Sequence, residues 1–155
     1  MDNNSIFFDK LKKINFFTSN VKKYDANSDN TNEVIKLANI ASGEMGIRGT
    51  IDNIQHFLND IKGFDGLAFE LKGIDEVDFS QEHIDAEGKV RIYLPVKYRW
   101  SINVDEAKAI SKKYDLNIWI EVFETYLGFR EEVCIVGGVV VYSDYIEWDY
   151  YQGEW

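Results

Sequence analysis

The stretch Val90-Arg-Ile-Tyr-Leu-Pro-Val-Lys-Tyr-Arg-Trp100 decides the predicted fold class. Apolar residues occupy every second position in it, as in a strand that buries one face. The predicted inward residues are Val90, Ile92, Leu94, Val96, Tyr98 and Trp100. The alternate positions carry Arg91, Tyr93, Pro95, Lys97 and Arg99, which we expect on the opposite face.

A helix and a second strand follow this strand. Asn103 can cap a helix that runs to about Tyr114, and Glu106 stands at the position from which a capping-box side chain reaches back. A second alternating run follows, with Leu116, Ile118, Ile120 and Val122 on one face and Asn117, Trp119, Glu121 and Phe123 on the other. The stretch therefore predicts a strand–helix–strand unit.

A smaller unit of the same kind precedes it. The sequence predicts a short strand over Met45–Arg48, a helix from the Thr50 cap to Gly63, and a strand over Leu67–Leu71. Two such units predict an α+β fold with a ferredoxin-like split βαβ core and an antiparallel sheet. We expect one domain over residues 1–155, with residues 1–44 as a helical extension and residues 45–155 as the α+β core.

The two ends of the chain are predicted from shorter patterns. Residues 5–17 have helical periodicity, residues 18–32 are polar and predict a loop, and Thr31–Ala41 predicts a second helix ended by Gly43. After residue 128, two alternating runs flank Gly137-Gly138, which is typical of a β-hairpin with a two-residue turn.

Composition excludes several classes of protein. The single cysteine, Cys134, excludes an internal disulfide, and the longest apolar run, Val139–Tyr142, is far shorter than the roughly 20 residues of a membrane helix. The N-terminus lacks the pattern of a signal peptide, so we expect a cytoplasmic protein. The net charge of −10 disfavours direct nucleic-acid binding, which requires Lys and Arg to neutralise phosphates.

The charge is unevenly distributed along the chain. Residues 60–88 have a net charge of −7, residues 89–114 of +5, and residues 115–155 of −8. The simple interpretation is an acidic, well-solvated surface. The functional interpretation is that the last forty residues present a negative field to a basic partner.

Catalytic and metal-binding patterns are weak. Neither His56 nor His83 has a second histidine at helical spacing, and Cys134 lies among apolar residues of a predicted strand, so we interpret none of them as catalytic. The acidic insert at residues 73–89 lacks the spacing of a calcium loop. Glu121 shares a strand face with aromatic residues that could raise its pKa, which keeps acid–base chemistry open as an alternative.

Residues 90–142 resemble a known family. The motifs are the strand that ends in Trp100, the helix end Ala-Ile-Ser-Lys-Lys-Tyr114, the strand Ile-Trp-Ile-Glu-Val-Phe-Glu124, and Gly128-Phe129 followed by a Gly-Gly hairpin. Together these are similar to the YubB-type ferredoxin-like domain of small plasmid and phage proteins. Ser101-Ile102 replaces the proline pair that often follows the family's tryptophan. The resemblance implies a mobile-element protein that acts inside a bacterium, and it carries no catalytic residue to this chain.

We therefore expect a non-enzymatic binding protein without a cofactor. It would block a basic, nucleic-acid-binding surface of a host protein, in the manner of an anti-CRISPR or other anti-defence inhibitor. The predicted partner-binding residues are Trp119, Glu121, Phe123, Glu124, Glu131, Glu132, Asp144, Tyr145, Glu147, Trp148, Asp149 and Tyr150. Tyrosine and tryptophan are common at interface hot spots, and carboxylates complement Lys and Arg. The alternatives are a ligand-binding or enzymatic sheet face around Trp119, Glu121 and Phe123, and a homodimer formed through an open sheet edge.

Overall fold

A computed structural model describes residues 6–11, 40–124 and 128–148. The protein is α+β, with a six-stranded antiparallel sheet. Its elements are β1 (Ile40–Gly49), α1 (Ile51–Ile61), β2 (Phe69–Leu71), β3 (Val90–Arg99), α2 (Val104–Tyr114), β4 (Asn117–Glu124), β5 (Phe129–Val136) and β6 (Val139–Glu147). Residues 6–11 are also helical, and the rest of the predicted 5–17 helix lies outside the described residues.

The strand order is β2-β3-β1-β4-β5-β6, and every neighbouring pair is antiparallel. Helix α1 connects β1 to β2 across β3, and α2 connects β3 to β4 across β1. Strand β1 is therefore a central strand, which joins β2 and β3 on one side to β4, β5 and β6 on the other. Strands β5 and β6 extend the sheet beyond β4 as a hairpin whose turn residues, Gly137 and Gly138, both have positive φ, as predicted.

Strand β1 is longer than the strand predicted over Met45–Arg48, and it begins within the helix predicted before it. Of the helix predicted over Thr31–Ala41, only Ile40 and Ala41 lie within the described residues. The prediction is wrong for these two, because they begin β1. Gly43 lies within β1 rather than at a helix end, and a Cβ at this position would overlap the main-chain oxygen of Glu121 on β4. Gly43 is thus required by the close approach of two strands, a constraint that local periodicity does not record.

One face of the sheet is buried under the helices. The burial of β3 alternates from Val90 to Arg99, as predicted, and its inward residues join one apolar core with Ile54 and Phe57 of α1 and Ile110 of α2. The prediction is wrong for Trp100, which follows the strand with a positive φ of 79° and is half-buried rather than part of this core. The rings of Phe57 and Tyr114 lie 5.3 Å apart, which places α1 and α2 side by side on this face. Within the described residues, no helix lies over the opposite side of the sheet, which we call the open face.

Side-chain caps mark the N-termini of α1 and α2. Thr50 accepts a hydrogen bond from the Asn53 amide at 3.1 Å, and Asn103 accepts one from the Glu106 amide at 3.1 Å, as the sequence predicts. The Glu106 carboxylate is fully buried and accepts a hydrogen bond from the Ala68 amide at 2.9 Å. Glu106 therefore connects α2 to the segment that enters β2, a role that the capping pattern did not predict.

Candidate functional site

The register of β4, β5 and β6 brings six of the twelve predicted binding residues together on the open face. Glu121 pairs with Glu132, and Glu132 pairs with Asp144, so three carboxylates form a row across three strands. Side chains directly opposite each other in neighbouring strands point to the same face. We call this group the β4–β6 patch, and it comprises Trp119, Glu121, Phe123, Glu132, Asp144 and Trp148, together with Arg130.

Arg130 organises the patch. Its guanidinium donates to Glu121 Oε2 from Nε at 2.7 Å, to Glu132 Oε1 from Nη2 at 2.8 Å, and to Asp144 Oδ2 from Nη1 at 3.2 Å. One cation thus holds three carboxylates in fixed positions, and the four groups together have a net charge of −2. Charge-assisted hydrogen bonds are shorter and stronger than neutral ones, and three of them from one planar group fix the carboxylates relative to each other.

The pKa shifts in the patch follow from these contacts. The Trp119 indole N–H donates to Glu132 Oε2 at 2.6 Å, and this bond, with a smaller contribution from Arg130, lowers the pKa of Glu132 although desolvation opposes the shift. The bonds to Glu121 and Glu132 raise the pKa of Arg130 further above its ordinary value. Arg130 and Glu132 are therefore both charged at neutral pH.

Aromatic side chains flank the charged row. The rings of Phe123 and Trp148 are nearly parallel, 6.3 Å apart with an interplanar angle of 4°. On the other side, Trp119 meets Tyr93 of β3 edge to face at 6.1 Å. These two rings lie over Gly46 of β1, where a Cβ would come within 2.9 Å of the Tyr93 ring. The patch thus combines fixed carboxylates with rigid apolar surface.

The other predicted residues do not share this face. Glu124 is buried on the helix side with 2 % of its surface exposed, and Glu131 accepts a hydrogen bond from the Ile102 amide at 2.9 Å. Tyr145 stacks on Phe129, also on the helix side, and donates to Glu147 at 3.0 Å. Asp149 and Tyr150 lie outside the described residues.

The open face also carries basic residues, and this changes the interpretation of the charge pattern. Arg91, Lys97 and Arg99 project from β3 as exposed side chains. Arg48 of β1 is bound by Asp85 of the acidic insert at 2.8 Å. The carboxylates of Glu121, Glu132 and Asp144 therefore share one sheet face with the basic side chains of β3, with the negative groups toward β6 and the positive groups on β3.

Sequence reasoning missed Arg130 and Tyr93 as parts of the site. Arg130 alternates with Glu132 and Cys134 along β5, so the sequence predicts which face it lies on, but two of its three carboxylate partners, Glu121 and Asp144, come from other strands. For Tyr93 the available signal was Gly46, because a glycine within a strand often marks a place where aromatic rings from neighbouring strands cover the backbone.

Glu121, the alternative catalytic candidate, has a structural partner, and so does His56, which was not predicted to be catalytic. Glu121, considered for acid–base chemistry, is bound by Arg130. His56 lies 3.2 Å from Asp60 Oδ2 and contacts Tyr114 edge to face. Burial, with a smaller effect of Glu132, raises the pKa of Cys134, which lowers the thiolate fraction that a nucleophile needs. In the described ranges, no group of three or more His, Cys, Asp or Glu side chains is arranged to hold a metal ion.

A large cleft lies elsewhere in the molecule. It measures about 1360 Å³ and lies between the α1–β2 connection and the β3–α2 connection, with Phe64, Ala68, Tyr98 and Asn103 among its lining residues. The β4–β6 patch does not line it. The patch is therefore separate from this cleft.

Among the helices of residues 6–11, 40–124 and 128–148, none combines the length and apolar character needed to cross a bilayer. No family model, curated protein or solved structure matches this chain.

Proposed function

We propose that the protein is a non-enzymatic binding protein whose β4–β6 patch contacts a basic surface of a partner protein. The observation that carries this proposal is the row of three carboxylates held by Arg130 on the open face, beside the stacked rings of Phe123 and Trp148. Carboxylates have more acceptor positions than one guanidinium can occupy, so Glu121, Glu132 and Asp144 can each accept further hydrogen bonds.

Preorganisation supports the proposal. The carboxylates are already ordered by Arg130 and by the Trp119 indole, so a partner would not have to fix them on binding. Asp144 has 40 % of its side chain exposed and is the member most accessible to a partner's Lys or Arg. Phe123 adds exposed apolar area next to it. Tryptophan and arginine, both present in the patch, are enriched at binding hot spots.

The partner class that we propose is a host protein that handles nucleic acid, such as a defence complex. Surfaces that bind phosphates carry clustered Lys and Arg, and a negative patch that occupies such a surface excludes the nucleic acid. The resemblance of residues 90–142 to a family of plasmid and phage proteins supports an anti-CRISPR or related anti-defence role inside a bacterial cell.

We also propose a ferredoxin-like assignment for the part of the sheet from β1 to β4. The order β2-β3-β1-β4, with α1 and α2 as the two crossover connections, supports this assignment because a split βαβ core has the same strand order and crossovers. The β5–β6 hairpin then extends that core, and it supplies Arg130, Glu132, Asp144 and Trp148 to the patch.

The test is affinity capture from bacterial lysate, with and without nuclease, using matched variants. The face variant combines Asp144→Asn with Phe123→Ala, and the control combines Glu82→Gln with Ile84→Ala in the acidic insert. Each double variant removes one exposed carboxylate and one exposed apolar side chain.

We expect a stoichiometric protein partner that survives nuclease treatment, is retained by the control variant and is lost by the face variant. Equal retention by both variants would place the binding surface elsewhere. A partner that disappears with nuclease would indicate an interaction through nucleic acid and would contradict the proposal.

A further inference from the structure

Strand β6 is an edge of the sheet, and its outer side is not paired with another strand within the described residues. The Trp148 amide donates to the Gly128 carbonyl at 2.6 Å, which fixes the alternation of the ladder. In an antiparallel pair, the residues between the hydrogen-bonded ones direct their main-chain groups to the other side. The N–H and C=O groups of Ser143, Tyr145 and Glu147 therefore point away from β5, toward the free edge.

The side chains of β6 are unusual for a free edge. Val141 is 60 % exposed and Tyr145 51 % exposed, and Tyr142 and Ile146 are also exposed. Proteins commonly protect exposed edges with charged side chains, above all lysine, with proline, with a β-bulge or by making the strand short. Strand β6 is nine residues long and contains neither lysine nor proline, whereas the opposite edge strand, β2, has only three residues. The register shift in the pairing of β6 with β5 lies between Val140 and Tyr142, so the stretch from Ser143 to Glu147 pairs regularly.

The charges of β6 indicate which kind of strand would pair with it. Asp144 lies on the open face and Glu147 on the helix side, separated by the apolar surface of Tyr145 and Ile146. An added strand would therefore match β6 best with two basic residues three positions apart, one for each face, and with apolar residues between them.

A second copy of the chain is a poorer match. Two antiparallel β6 strands paired through Tyr145 would place the two copies of Asp144 at diagonal positions on the open face, in chains that each have a net charge of −10. A basic strand instead gains from both Asp144 and Glu147.

We propose that β6 is a strand-addition site, at which the basic partner inserts an extended segment that continues the sheet. This inference rests on the proposed function and specifies how the partner is held. Main-chain hydrogen bonds to Ser143, Tyr145 and Glu147 supply affinity, and the basic residues of the added strand provide selectivity through Asp144 and Glu147. The adjacent β4–β6 patch then contacts the body of the partner.

The probe is an end-blocked synthetic peptide, Thr-Val-Lys-Val-Ile-Lys-Val-Thr, added to the ¹⁵N-labelled full chain. One control peptide replaces both lysines with glutamate, and a second carries N-methyl groups on alternate residues, so that one edge of it cannot donate hydrogen bonds. Amide hydrogen exchange is measured along β6. Asp144→Asn and Glu147→Gln are the protein variants, and Glu82→Gln is the matched control.

We expect the peptide to slow exchange of the Ser143, Tyr145 and Glu147 amides at least tenfold at saturation. The amides of Asp144 and Ile146, which already bond to β5, should change little. The glutamate and N-methyl peptides should not give this protection. Each β6 carboxylate variant should weaken binding about two- to fivefold, the range of an exposed ion pair, and Glu82→Gln should not.

Three results would overturn the inference. If the peptide shifts resonances of Trp119 and Phe123 but leaves the outward amides unprotected, the patch binds basic groups and the edge does not accept a strand. If the outward amides are protected without peptide and sedimentation shows a dimer, the occupant is a second copy. If no resonance responds to the peptide, β6 does not accept a basic strand, and the lysate capture with the face variant still decides the proposed function separately.

Discussion

Replacing Arg130 with methionine should test whether the β4–β6 patch is organised by charge. Methionine keeps an unbranched apolar stem but removes the guanidinium that holds Glu121, Glu132 and Asp144. Three carboxylates would then stand on one sheet face without the cation that separates them. We expect a folded but less stable protein.

The magnitude follows from the exposure of the groups. The side chains of the three carboxylates are 18 to 40 % exposed, so each pair is screened and contributes about 1 kcal/mol, the upper value for surface pairs. Arg130 is held by its three partners and so loses side-chain rotamer freedom on folding, whereas a methionine at this position is not held. This difference in side-chain entropy offsets about 1 kcal/mol of the lost stability. The net loss at pH 7 is therefore about 2 kcal/mol, or roughly 4–8 °C in Tm for a chain of this size.

The loss should depend on pH in a defined direction. The Trp119 indole and Arg130 lower the pKa of Glu132 in the folded state. A carboxylate with a lowered pKa stabilises the fold above its unfolded pKa, about 4.3, and this contribution disappears as pH falls through the folded pKa. The difference in Tm between the parent protein and Arg130→Met should thus be full at pH 7 and shrink below about pH 4.

The assay is thermal unfolding by circular dichroism at pH 7, 5, 4 and 3. Arg91→Met, at an exposed position on the same face, is the matched control and should change Tm by less than about 2 °C. A difference in Tm that stays constant from pH 7 to pH 3 would show that Arg130 acts through packing, and no difference at pH 7 would refute the charge argument altogether.

Three further predictions concern the neighbourhood of the patch. Gly43→Ala should cost about 3 kcal/mol or more in chemical denaturation because its Cβ meets the main chain of β4, whereas Gly46→Ala should cost about 1 kcal/mol because it meets rings that can shift; equal costs would contradict this. Trp119→Phe should raise the pKa of Glu132, measured by carboxyl ¹³C NMR, because the indole donor is lost; an unchanged pKa would assign the shift to another group. Cys134 should react with a disulfide reagent at pH 7 more slowly than a free cysteine peptide, because burial raises its pKa; a faster reaction would reveal an activating environment.

The elements that the sequence predicted well are those with a complete local signal. Strand β3 alternates over ten residues, α2 begins at a capping asparagine, and two glycines with positive φ turn the β5–β6 hairpin. Each signal is contained within about a dozen residues. When one face of a strand or helix is buried, apolar residues recur along its own sequence with the period of that element. This pattern can be recognised without knowing which elements pack beside it.

The bounds of strand β1 were not predicted correctly because the sequence pattern that marks this strand is not local. Gly43 and Gly46 interrupt the apolar alternation, and the short pattern that remained predicted only Met45–Arg48. Gly43 is needed because the Glu121 main chain lies against it, and Gly46 is needed because the rings of Tyr93 and Trp119 cover it. These groups are distant in sequence, and only the pairing of β1 with β3 and β4 brings them close.

The sequence by itself determined which residues of each strand point together, and hence that Trp119, Glu121 and Phe123 share a face. Tertiary structure alone decided that β5 and β6 lie beside β4 and that Arg130 meets three carboxylates from three strands. It also placed the basic residues of β3 on the same face as the carboxylates of Glu121, Glu132 and Asp144. The physical reason is that the period-two pleat fixes the direction of a side chain within its strand, whereas its neighbours depend on strand order, which is set by long-range packing of the whole chain.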